Sequence, residues 1–348
     1  ALVPVFPANT FPSHVSLATG APVDRHGIVG NRFHDRQRGD FSYSNDASWI
    51  EAEPLWACAE RQGVKAAAFF WVGSETDWRG VGATYRVSPF NGMTRETEKV
   101  EQILRWFDLP ATKRPRLIMS WWHGADHWGH RKGPDAEDTT EQLRRQDSAL
   151  AGLLDALDQR GAWQTTTLLI VSDHGMARVD QPIDAMGAVE AVGIRARMIN
   201  AGGLVHFFLE DLTVRDAAVA ALEALDGVRA FRGEELPARW RYHHPTRTGD
   251  VVAITEPPRI FLDPWSWRGL RLRAANWLGD AGGAHGYDPE KVPEMHGILL
   301  ALGRGVTPGT RLGKPSALDL APTVAQLLGI TAPAQSEGRV IPGISPSP

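Results

Sequence analysis

The chain has 348 residues, 43% of them apolar and 22% charged, proportions of a globular protein with room for two domains or one large α/β domain with an insertion. Its 37 Lys+Arg against 41 Asp+Glu leave a formal charge of −4, so there is no basic excess to hold a nucleic-acid polymer. A single cysteine, Cys58, excludes a disulfide framework, a Cys-rich zinc site and an iron–sulfur cluster, and no apolar run of about 18 residues marks a transmembrane helix.

In chain order, residues 1–6 (ALVPVF) read as structure already under way, as in a chain whose beginning lies further upstream. Asn9-Thr10-Phe11-Pro12 follows, which on its own reads as a helix start with Asn9 as N-cap. Apolar runs at 66–71, 117–121 and 167–172 predict strands, and they alternate with helical patterns, as in an α/β fold with a largely parallel sheet. The helix predicted over 139–160 carries Leu143, Leu150, Leu153, Leu154 and Leu157 on one face and stops at Gly161. Between about 177 and 280 the character changes: a strand at Leu204–Leu209, an amphipathic stretch at 214–225, an aromatic and basic stretch at 236–247, and a strand at 250–255. This stretch is expected to be an inserted α+β subdomain. A last helix is predicted over 317–328, ended by Gly329, before a Pro-rich tail at 341–348.

Three clusters combine imidazole and carboxylate with glycine: Asp126-His127-Trp128-Gly129-His130, Ser172-Asp173-His174-Gly175 and His285-Gly286-Tyr287-Asp288. The first two follow strands, and loops at the carboxyl ends of parallel strands converge on one crevice. Imidazole nitrogens and carboxylate oxygens suit zinc and similar ions, and an Asp with a His four residues later can clasp one ion from a single helix face. A lone Asp–His pair is more often a cap or a turn, and on spacing alone the two readings balance. Thr10 is a weak nucleophile at neutral pH unless a cation or an adjacent base activates it.

The segments NTFPSH, TGAPVDRHGIVGN, FFWVGSE, DHWGHRKGP, SDHGM and AHGYDPEKVPEMHGILLALG run in one order through nearly the whole chain. Together they resemble the nucleotide pyrophosphatase/phosphodiesterase family of the alkaline phosphatase superfamily. The resemblance implies a three-layer alkaline-phosphatase-like core, here residues 1–176 and 281–340, with 177–280 as the insert. It implies two zinc ions. Thr10, Asp173 and His174 match ligands of one, with Thr10 also the nucleophile; Asp126, His130 and His285 match those of the other. Asn31 matches an amide that holds a phosphate oxygen, and Phe11 and Trp121 match residues that sandwich a nucleotide base. Trp121 stands where a tyrosine is common.

The implied reaction is hydrolysis of a small nucleotide phosphodiester or pyrophosphate through a phosphothreonine intermediate. An alternative within the fold is a lysophospholipid or glycerophosphodiester head group, since two aromatics can also enclose a quaternary ammonium. One departure bears on mechanism: the family places a further aspartate ligand of the Thr10 ion on a first strand, whereas the first acidic residue here is Asp24. That strand is expected upstream of Ala1; a chain truly lacking it would be a catalytically silent metal-binding homologue. Family analogy favours a periplasmic or extracellular setting. His123, His127 and His296 fall outside the matching positions and are expected to be solvated or hydrogen-bonded. His243 and His244 are expected at the surface, Cys58 in the core, and Trp265 and Trp267 in packing.

Overall fold

A computed structural model describes residues 1–262 and 282–345; Trp265, Trp267 and the end of the tail lie outside the described residues. Helix α1 (Thr10–Thr19) is buried along nearly its whole length because Phe11, Val15, Leu17 and Ala18 alternate with small Ser13 and Ser16, so apolar or small side chains occupy every face. It ends where Gly20 takes φ 66°, a left-handed C-cap. A short helix α2 (Val23–His26), the hairpin β1 (Arg32–Asp35) and β2 (Gly39–Ser42), and helix α3 (Leu55–Arg61) follow.

Strand β3 (Ala66–Phe69) is central and wholly buried; its three alanines let α3 pack closely against it. It pairs in parallel with β4 (Tyr85–Val87) and β5 (Leu117–Ser120), in the register Phe69 to Val87 and Phe69 to Ser120. Helix α4 (Glu96–Phe107) carries the chain from β4 to β5. Helices α5 (Gly124–Lys132) and α6 (Glu137–Gln159) then lead to β6 (Thr167–Val171). The predicted strands are thus present but shorter, and Phe70 shows why: at φ 59° it leaves extended geometry immediately after β3. Helix α6 buries Leu153 and Leu157 as its periodicity requires, while Leu143 is exposed.

Short β7 (Ala177–Val179) and β8 (Gln181–Ile183) precede α7 (Ala185–Ala191). Strands β9 (Ala196–Asn200) and β10 (Leu204–Leu209), helix α8 (Arg215–Glu223), and strands β11 (Val228–Arg232) and β12 (Val251–Thr255) build an antiparallel sheet in the order β11-β12-β10-β9. Val205, Phe207, Val251 and Ala253 from its strands meet Val189, Ala218 and Leu222 in a separate apolar core. Strand β13 (Arg259–Phe261) pairs with β8, β14 (Gly282–Ala284) with β7, and β15 (Leu299–Gly303) with β6. The predicted last helix is a 3-10 turn, Ala317–Asp319, with a Ser316/Asp319 capping box, running into α9 (Leu320–Leu328). No helix of the described residues is long and apolar enough to cross a membrane.

The aromatic and basic stretch at 236–247 bolts this sheet to the rest. Trp240 stacks on Phe6 at 4.1 Å, Tyr242 donates to the Val29 carbonyl at 2.8 Å, and Arg247 pairs with Asp35 at 2.9 Å, both members 3% exposed. His244 therefore departs from the surface placement expected for it: it is buried with Nε2 3.0 Å from the Glu51 carboxylate, the same oxygen that pairs with buried Arg247 at 2.8 Å, while His243 is exposed.

Candidate metal centre

The carboxyl ends of β5 and β6, the start of α1 and the turn after β14 meet at one place. Asp126 and His130 lie one turn apart on α5, and His285 follows β14. Their ligand atoms all fall within 4.8 Å of one another. His130 Nδ1 donates to the Gly283 carbonyl at 2.9 Å, and His285 Nδ1 donates to Asn9 Oδ1 at 2.8 Å. These second contacts set the tautomers. In neutral rings both Nε2 atoms then carry lone pairs, and they face each other at 3.0 Å. Asp126 Oδ1 sits 3.4 Å from one Nε2 and 3.5 Å from the other, and the atom is buried with no hydrogen-bond donor among the described residues. Three acceptors aimed at one point repel unless a cation lies among them, so these residues fit a metal ion.

Thr10, the first residue of α1, places Oγ1 3.3 Å from His174 Nε2, and Asp173 Oδ2 lies 3.3 Å from the same nitrogen. His174 Nδ1 donates to the Gly175 carbonyl at 2.8 Å, which again leaves Nε2 as the acceptor. Burial opposes ionisation of Asp173, but His174 and His14, which are cationic at the low pH where a carboxyl titrates, outweigh it and hold the carboxyl at about 2. His14 Nδ1 lies 3.2 Å from Asp173 Oδ2 and 2.9 Å from the Thr10 carbonyl, so helix α1 and the Asp173 carboxylate are tied through one ring. The two donor sets adjoin: the His174 and His285 rings stack at 3.8 Å. Asp24, the first carboxylate of the chain, is held by Arg241 at 2.7 Å and joins neither set.

Close backbone approach requires glycine at Gly283, where a Cβ would lie 2.3 Å from the Gly129 carbonyl and push α5 off β14. Asn31 accepts the Phe11 backbone N–H at 2.8 Å through its Oδ1, supplying the cap that the Asn9 side chain does not. With its Oδ1 taken up in this way, the two amide hydrogens of Asn31 do not serve the cap.

Of the two expected base-stacking residues, Trp121 is half-buried and Phe11 only 3% exposed. Phe11 meets the edges of Phe41 and Tyr43 at 5.6 and 5.5 Å. Trp121 instead stacks on Phe90 at 5.1 Å, with His14 edge-on at 5.2 Å. Sequence reading missed Phe90, Asn9 and His14. The last two lie inside NTFPSH, where a His four residues after the Thr sits one helical turn below it; Phe90 lies in a loop without periodicity. Glu75 Oε1 accepts from Asn45 Nδ2 at 2.9 Å and from the Phe90 N–H at 2.7 Å, so it braces the loop. His123 and His296 are hydrogen-bonded to the Gly92 and Pro289 carbonyls, and His127 is exposed.

A family model for type I phosphodiesterase/nucleotide pyrophosphatase matches residues 1–288. The chain belongs to this family. Among its relatives, human ectonucleotide pyrophosphatase/phosphodiesterase family member 1 is 32% identical over 352 aligned residues, covering 96% of this chain and 36% of that protein. A venom phosphodiesterase of Naja atra is 28% identical, with 96% and 40% covered. The chain spans between 36% and 67% of the length of such curated relatives. Murine ectonucleotide pyrophosphatase/phosphodiesterase 5 superposes with a TM-score of 0.84 at 26% identity, over 95% of this chain and 86% of that one. An inactive threonine-to-alanine variant of it, in complex with AMP, superposes equally well. The architecture is therefore the alkaline-phosphatase-like α/β fold.

Proposed function

We propose that this chain hydrolyses nucleotide phosphodiester or pyrophosphate bonds with Thr10 as nucleophile and two zinc-type ions as cofactors. The observation that carries the reading is the pair of adjoining donor sets: Thr10, Asp173 and His174 on one side of the His174–His285 stack, Asp126, His130 and His285 on the other. Bound there, two divalent cations would supply Lewis-acid charge beside the attacking and departing oxygens. The remaining chemistry rests with the chain. Thr10 stands at the positive end of a ten-residue helix, which favours its alkoxide over its hydroxyl. Its Oγ1, the proton given up to water, bonds to phosphorus as the bond to the leaving oxygen breaks and that group departs as its anion. Water then cleaves the phosphothreonine diester, releasing the nucleoside monophosphate and restoring the Thr10 hydroxyl. Asn31 donates to a nonbridging oxygen, and its orientation is set in advance by the Phe11 N–H.

A diester suits the site because its second substituent leaves less charge to neutralise than a monoester does. The half-buried Trp121 face beside Phe90 supports a planar base on that substituent, and the AMP held by a relative points the same way. The separate apolar core of the β9–β12 sheet supports reading 177–280 as the insert.

Zinc-loaded protein is assayed with p-nitrophenyl thymidine 5′-monophosphate and p-nitrophenyl phosphocholine. Turnover of the nucleotide ester, abolished by Thr10→Ala with the fold intact, is the expected result. Turnover of the choline ester alone overturns the nucleotide reading, and full activity in Thr10→Ala overturns the nucleophile.

A further inference from the structure

Lys99 is wholly buried on α4, 0% exposed, although lysine is among the residue types least often found there. Among the described residues no carboxylate lies within ion-pair distance of it. Burial pushes its pKa down to about 8, with Glu96 working the other way. An apolar side chain would fill this position without that penalty, so stability alone gives no reason for a cation.

What the cation does touch is His123. Lys99 Nζ lies 3.4 Å from His123 Nδ1. The other ring nitrogen, Nε2, donates to the Gly92 carbonyl at 2.9 Å, so Nδ1 is the acceptor and faces a donor. The ring thus held stands edge-on to Phe90 at 5.3 Å and tilted against Trp121 at 5.7 Å. The loop carrying Phe90 is consequently anchored on both sides of that residue: by Glu75 at the Phe90 N–H and by His123 at the Gly92 carbonyl. His123 is also the N-cap residue of α5, and Gln146 reaches the neighbouring Trp122 carbonyl at 3.5 Å and Glu96 at 3.4 Å. The link from β5 to α5 is therefore gripped by polar side chains from α4 and α6.

We propose that Lys99 is a positioning residue for base recognition: acting through His123, it holds the Phe90–Trp121 pair at the angle that receives a planar base. The inference rests on the nucleotide reading above. The neutral, similarly sized Lys99→Met is expected to keep the fold, since replacing a buried charge with an apolar side chain is often neutral or stabilising.

The test is calorimetric binding of AMP and of ribose 5-phosphate, which differ only in the base, to the full zinc-loaded chain. Lys99→Met is expected to raise the Kd for AMP roughly 5- to 20-fold, part of what one stacked base contributes, while the ribose 5-phosphate Kd stays within about twofold. A thermal melt is run alongside. Should Lys99→Met not fold, His123→Leu, which removes the acceptor of Lys99, is read in its place. A variant that weakens both ligands equally as Tm falls shows a structural role and overturns the proposal. So does wild-type AMP affinity in Lys99→Met where Trp121→Ala binds AMP poorly. Wild-type AMP affinity in Trp121→Ala itself removes the aromatic face from the nucleotide reading, and this proposal with it.

Discussion

Acid should unfold this protein through two histidines that take up a proton far less readily where they lie than in the unfolded chain. His26 and His206 are buried, 0% and 4% exposed. In each, Nδ1 already accepts a backbone N–H, from Ile28 at 3.1 Å and from Gly249 at 2.9 Å, so protonating that nitrogen removes a hydrogen bond and adds a buried charge. Nε2 of His26 meets Ser16 Oγ at 2.9 Å, and Nε2 of His206 meets the Tyr242 hydroxyl at 2.6 Å. Burial first, then the nearby Arg247 and Arg36 guanidinium groups, push the two pKa values from 6.5 down to about 3 and about 4. Both are lowered on folding, so their stabilisation is fully present above pH 6.5 and drains away as pH falls towards 4, where only the unfolded chain takes up the protons. At about 1.4 kcal/mol per proton per pH unit, the pair costs about 5 kcal/mol by pH 4.5. That is comparable to the whole stability of many domains, roughly 5–15 kcal/mol. Urea unfolding of chelator-treated protein, followed by circular dichroism between pH 7.5 and 4.5, measures it without metal release contributing. His26→Gln should flatten about half of the slope. A stability unchanged across that range would refute the argument.

Asp126→Ala and His285→Ala should each lower zinc content, measured by atomic emission after exhaustive dialysis, by about one equivalent, because three converging donors are reduced to two. Unaltered stoichiometry would remove that residue from the site. Gly283→Ala should cost roughly 1–3 kcal/mol in denaturant melts, since its Cβ lands 2.3 Å from a backbone oxygen of α5; a wild-type melt would show that β14 and α5 do not pack as described.

The elements most legible in the sequence are those whose apolar pattern is local. The leucine stripe of α6 needed only one covered face, and the unbroken apolar runs of β3, β5 and β6 needed only a place inside a sheet. The donor residues were picked out for a different reason: clusters of His, Asp and Gly left cation binding and plain turns evenly balanced, and it was the order of the six family-like segments that singled out Asp126, His130 and His285, which the fold brings together. Lys99 was illegible because nothing in a lysine's local sequence distinguishes a buried ammonium from a solvated one; α4 reads as a charged surface helix, and only packing against α6 and the β5–α5 link encloses this side chain. Phe11 shows the converse. Its place beside Thr10 was legible, but its burial against Phe41 and Tyr43 depends on where the β1–β2 hairpin folds back.

The bolts at Trp240, Tyr242 and Arg247 bear on how this protein can be cut and recombined. Phe6, Val29 and Asp35, which receive them, flank helix α1 in sequence, so the four-stranded sheet is anchored to the same stretch of chain that presents Thr10. Excising 177–280 to obtain a minimal catalyst would strip an aromatic partner from Phe6 and leave the Asp35 carboxylate without its guanidinium. A transplant of that sheet between relatives would have to carry residues 6, 29 and 35 with it, as a lock travels with its key.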